Sequence, residues 1–132
     1  MSDAITTFRA SLDTIEEAYE FMLAYAAQGR DTDAGQSVGP AIRPMLEKMH
    51  AALGVIADRV ADAYAHDAGA GFVATLQDDA IKAAHSVQVA LNCERISSQL
   101  VDNLNASIHL RAVLTGLFLA DEALNIASQI QD

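Results

Sequence analysis

The chain has 132 residues, 52% of them hydrophobic and 20% charged, with 8 Lys and Arg against 18 Asp and Glu for a formal net charge of −10. That length suits a single domain, and the apolar content is too high for a disordered acidic tail. The charge argues against nucleic acid and anionic membranes as partners, because both are gripped by clustered cations, whereas Arg9, Arg30, Arg43, Lys48, Arg59, Lys82, Arg95 and Arg111 are scattered singly.

Apolar residues begin to recur at Ile5, Phe8, Leu12, Ile15, Tyr19, Met22 and Ala26, in alternating steps of three and four that form a stripe on one helix face. The spacing predicts a first helix over residues 3–28, capped by Ser2 or Asp3 and closed by Gly29 in a left-handed conformation. Residues 30–40 hold two glycines and a proline without apolar periodicity, and read as a loop. A second stripe, Ile42, Met45, Met49, Leu53, Ile56, Val60 and Ala63, predicts a helix over 41–66 with Pro44 in its first turn. Gly69 and Gly71 supply the turn that follows.

From Phe72 onward there is no proline and the single glycine is Gly116, so the remainder reads as two helices joined at a polar corner. The densest run of Asn, Asp and Ser is 102–107, residue types that compete with the helical backbone. Helices over 72–101 and 107–131 follow. The first would carry Leu76, Ala80, Ala84, Val87 and Leu91, and the second Val113, Leu117, Ala120, Leu124 and Ala127.

Four such helices, with no strand signal, predict an all-α, antiparallel up-down-up-down four-helix bundle forming one domain over residues 1–132. About a fifth of the residues are alanine, which lets helices approach closely but yields a thin core. A homodimer or higher homo-oligomer would supply further burial, through apolar flanks at Leu23, Tyr25, Phe118 and Leu119. The N-terminus lacks the basic start and apolar block of a secretion signal, and the uncharged stretch 112–120 is about half the ~20 residues a membrane span needs. With the lone Cys93 unable to form an intrachain disulfide, the expected compartment is the cytoplasm.

The residues that could carry chemistry are few. Di-metal bundles use paired Glu-x-x-His motifs, whose three-residue step places both side chains on one inward patch. Here the motif occurs once, at Glu47 and His50, leaving a surface pair or a metal site built on those two residues. The four histidines, His50, His66, His85 and His109, fall one per predicted helix but at different heights. His66 reads as a cation at a helix C-terminus. Glu94 and Asp121 stand at core spacing with Arg95 and Arg111 as candidate partners, although a small shift in helix phase moves both to the rim. Gly69-Ala70-Gly71 lacks the strand and the Lys-Ser/Thr of a phosphate loop, Cys93 reads as a small buried hydrophobe, and Met22, Met45 and Met49 as core filler.

The segment Ala83-Ala84-His85-Ser86-Val87-Gln88 resembles the phosphoacceptor segment of histidine phosphotransfer domains, themselves helical bundles, over about ten residues. Ala84, His85, Val87 and Gln88 match, and Val89 stands where that family carries a small glycine. The resemblance implies a phosphoacceptor role for His85. Two functions are therefore expected from the sequence. The favoured one is a non-enzymatic acidic interaction module, a regulator, adaptor or chaperone-like protein that binds other proteins and needs no cofactor. The alternative is a bundle with a functional histidine, through phosphotransfer at His85 or a metal at Glu47 and His50.

Overall fold

The computed structural model describes residues 3–35, 41–63 and 69–131. Among them are five α-helices and no strand: α1 (Asp3–Ala26), α2 (Ile42–Ala63), α3 (Ala70–Leu91), α4 (Ser98–Asn105) and α5 (Ile108–Gln131). The end of the predicted second helix, including His66, lies outside the described residues.

Helix α1 stops at Ala26, and its last turn tightens through bonds from Ala27 N to Ala24 O (3.2 Å) and Gln28 N to Tyr25 O (3.1 Å). Gly29 follows at φ 67°, a conformation that a side chain would strain. All seven apolar positions of the α2 stripe are buried. In α1 the buried face drifts instead: Phe8, Leu12, Ile15 and Met22 are buried, but so are Ala18 and Tyr25, while Tyr19 and Ala26 are only partly covered. The reason is geometric, since a strict three-four alternation repeats every 3.5 residues and a straight helix turns every 3.6, so the core face slides by about 20° per heptad. Tyr25 is thus no exposed flank for a second copy. It is fully buried, and its hydroxyl donates to Ile96 O at 2.6 Å.

The largest departure from expectation lies in the predicted 72–101 helix, which breaks over residues 92–97. Helix α3 starts earlier, at Ala70, with Gly69 as its cap and Gly71 inside its first turn. It ends at Leu91, and α4 begins after Ser97, whose hydroxyl accepts from Leu100 N at 3.0 Å. The expected corner shrinks to Ala106 and Ser107, between α4 and α5.

A residue from another helix holds the break. Arg43, in the first turn of α2, donates from Nη1 to Leu91 O (3.0 Å) and from Nη2 to Cys93 O (3.0 Å) and Glu94 O (3.3 Å), so a cation sits on the carbonyls at the C-terminus of α3. Its Nε donates to Asp33 Oδ2 at 3.2 Å, and Asp33 Oδ1 accepts from Ile96 N at 2.9 Å. Ser98 completes the clamp: its hydroxyl donates to Tyr25 O (2.7 Å) and accepts from Arg30 N (2.8 Å), while its own N–H donates to Arg30 O (2.8 Å). Burial works against the Asp33 charge, but the Ile96 N–H and the Arg43 guanidinium outweigh it and hold the carboxyl below its usual value.

Helix α1 packs on α2, α2 on α3 and α3 on α5, with α4 against α1. Gln77 Nε2 reaches Ala57 O (3.1 Å) and Arg43 reaches Leu91 O, so α3 runs against the direction of α2. Gly116 permits the close approach of α5 to α3, since a Cβ there would stand 2.9 Å from Leu76 Cδ1 in the core.

Asp33→Ala leaves the Ile96 N–H and one face of Arg43 without partners, and should lower unfolding free energy by about 1–3 kcal/mol in urea titrations at neutral pH. A carboxyl depressed on folding contributes stability that is fully present above the unfolded value near 3.8 and is lost as pH falls through the lower folded one. The gap between native protein and Asp33→Ala should therefore narrow below about pH 4.

Candidate functional site

Two surface features gather polar and apolar side chains from separate helices. The first is a groove between α2 and α3. At one end it is lined by Arg43, Glu47, His50, Gln88 and Leu91, and farther along by His50, Asp58, Gln77, Ile81 and His85 over a floor that includes Gly54, Ala57, Ala80 and Ala84. The small floor residues make the depression, and a Cβ added at Gly54 would meet nothing within 4 Å. The groove brings His50 and His85 to one depression, which their positions in sequence did not reveal.

Glu47 and His50 share a face of α2, Glu47 exposed and His50 half-buried. Among the described residues no three His, Cys, Asp or Glu side chains group so as to hold a metal ion. His85 is exposed on α3, and Val89 one turn on is 63% exposed. The hydroxyl next to His85, on Ser86, donates to Lys82 O at 3.2 Å. His109 is half-buried near the start of α5. Cys93 is half-buried just past α3, its thiol directed at Val89 O (3.4 Å). The groove thus presents two imidazoles, the carboxamides of Gln77 and Gln88, the Arg43 guanidinium and the carboxylates of Glu47 and Asp58: groups suited to recognition, and to weak metal or phosphate contact at the histidines.

The second feature is the seam between α1 and α5. Arg9 crosses it, with Nε on Asp121 Oδ1 (3.3 Å) and Nη2 on Asn125 Oδ1 (2.7 Å). Asp121 therefore sits at the rim and takes its partner from α1, rather than from Arg95 or Arg111 as its place in the sequence had indicated. Glu94 lies exposed beyond the end of α3. Farther along α1, burial pushes the Glu16 carboxyl up, and the negative charges of Asp13, Asp121 and Glu20 push it further. The seam thus carries carboxylates crowded closely enough to repel one another. Asp13 and Glu20, three before and four after Glu16 on α1, were legible as its neighbours in the sequence, whereas Asp121 and its pairing with Arg9 across 112 positions were not.

Large apolar side chains also stand in solvent. Ile108, Leu119 and Ile126 recur at steps of eleven and seven along α5 and so share one outer stripe, with exposures of 74%, 60% and 49%. Leu23 on α1 and Phe118 on α5 are likewise about half exposed. No helix among the described residues is long and apolar enough to cross a membrane. Comparison of the chain with protein-family models, curated proteins and solved structures finds no match in any of the three.

A carboxyl raised on folding costs stability while ionised, and that cost disappears once pH falls below the unfolded value near 4.5. Glu16→Gln should therefore melt above the native protein at pH 7, with the difference closing by about pH 4, in paired thermal scans by circular dichroism.

Proposed function

We propose that this chain is a non-enzymatic acidic interaction module that binds other proteins, as a regulator, adaptor or chaperone-like factor of the cytoplasm. The observation that carries the reading is the α5 outer stripe, where Ile108, Leu119 and Ile126 present apolar surface on a protein of net charge −10. Exposed apolar side chains aligned along one helix face mark contact surfaces more often than isolated ones do. In this reading the four long helices form one antiparallel up-down-up-down bundle, with α4 a short insertion between the third and fourth. The α5 stripe also supports self-association as a homodimer, since two copies could lay the same stripe against each other.

A functional histidine is the second reading, favoured by the exposure of His85 and by the groove it shares with His50. Phosphotransfer would place an acid-labile phosphate on His85 after incubation with a phosphorylated receiver domain. The metal version, at Glu47 and His50, would show as saturable zinc or copper binding removed by His50→Ala.

Purification of the tagged protein from its native host should recover a stoichiometric protein partner, whose retention falls in Leu119→Glu. In light scattering at micromolar concentration, the native chain should run above its 14.0 kDa monomer mass and Leu119→Glu at that mass. A monomer that retains no partner would overturn the interaction reading.

A further inference from the structure

We propose that the seam between α1 and α5 is a docking site for a basic amphipathic helix of a partner protein. The inference rests on the interaction-module reading and gives that reading a place and a chemistry.

Helix phase defines the seam. Arg9 bonds to Asp121 and Asn125, so these residues face each other across it. Glu16 lies seven residues beyond Arg9, and Leu23 seven beyond Glu16; each step is close to two full turns and keeps the same face of α1. On α5, Phe118 lies three residues before Asp121 and shares its face. That the Asp121 charge is felt at Glu16 agrees with this placement. Helix α1 packs broadly on α2 and α4, and α5 on α3, but α1 and α5 do not pack on each other to a comparable extent. The seam is bridged by the reach of Arg9 and leaves Leu23 47% and Phe118 50% exposed beside it.

Charge selects the occupant. Two half-exposed apolar anchors near crowded carboxylates suit a helix with leucines on one face and lysines or arginines flanking them, the helix-in-groove mode of recognition. Its cations would relieve the repulsion at Glu16, and the net charge of −10 would speed its approach. A second copy of this chain fits poorly here, because it would set carboxylate against carboxylate. Anionic lipid is disfavoured for the same reason. Among the described residues, the cations on this surface are Arg9 and, two turns before Phe118 on the same α5 face, Arg111; with Asp13 and Glu20, one turn to either side of Glu16, the carboxylates outnumber them four to two.

The test uses the full chain and a fluorescein-labelled 14-residue Leu/Lys peptide with leucines at helical a and d positions, with a Leu/Glu peptide of the same pattern as control. Anisotropy titrations should show saturable binding of the Leu/Lys peptide that weakens as salt is raised, and none of the Leu/Glu peptide. Glu16→Lys and Phe118→Ser should each weaken binding by about tenfold, whereas Asp62→Lys, an equal change of charge on α2, should weaken it by no more than about twofold. All three positions are at least partly exposed, and melting curves would verify that the variants remain folded. Equal losses from Glu16→Lys and Asp62→Lys would overturn the seam, as would Phe118→Ser binding like the native chain. So would absence of binding. None of these results removes the broader interaction reading, which falls only if the host-purified protein is a partnerless monomer.

Discussion

Asp33 joins three parts of the chain that local sequence keeps far apart. One carboxylate oxygen takes the guanidinium of Arg43 at the start of α2, and the other takes the backbone N–H of Ile96 beyond α3. Arg43 in turn covers the carbonyls left open where α3 stops, and Tyr25 and Ser98 tie the same stretch to the end of α1. Polar backbone left unpaired in this position would cost several kcal/mol, so the break in the third helix and the placement of α4 depend on the clamp. It also explains how an eight-residue helix, too short to persist alone, is held in place.

With that end of the molecule tied down, the long helices sort their surfaces by side-chain size. Helices α2 and α3 meet over glycine and alanine, which brings their backbones together and leaves a shallow groove outside. Helices α1 and α5 pack far less closely, are bridged by Arg9 on Asp121 and Asn125, and leave Leu23 and Phe118 about half exposed. Acidity and exposed apolar surface therefore occur together along this seam, the combination on which the proposed recognition of a basic helix rests.

The candidate sites were only partly legible beforehand. Glu47 and His50 share a helix face because they are three residues apart, a relation any helix guarantees. That His50 and His85 enter one groove depended on the pairing of α2 with α3 and on the register that sets Ala57 beside Gln77. Asp121 stood at core spacing, yet its partner is Arg9, across 112 positions of chain. A cue to the break after Leu91 was present, in Asn92 and the Ser97-Ser98 pair, but a longer run of polar residues at 102–107 outweighed it. Asn105 in that run is buried and donates to Met22 O.

Apolar recurrence every three or four residues is a local property, and it was enough to establish that the chain is helical, where α1 and α2 lie and which face of α2 is buried. The loop residues that punctuate it, Gly29 above all, act through their own backbone freedom and could be recognised without any neighbour. Which helices touch, where the third one ends and which charges meet were decided by tertiary structure. Each of those outcomes depends on a contact between residues distant in the chain, such as Arg43 with Leu91 O or Arg9 with Asp121, and the energy of such a contact has no trace in the local pattern of either partner.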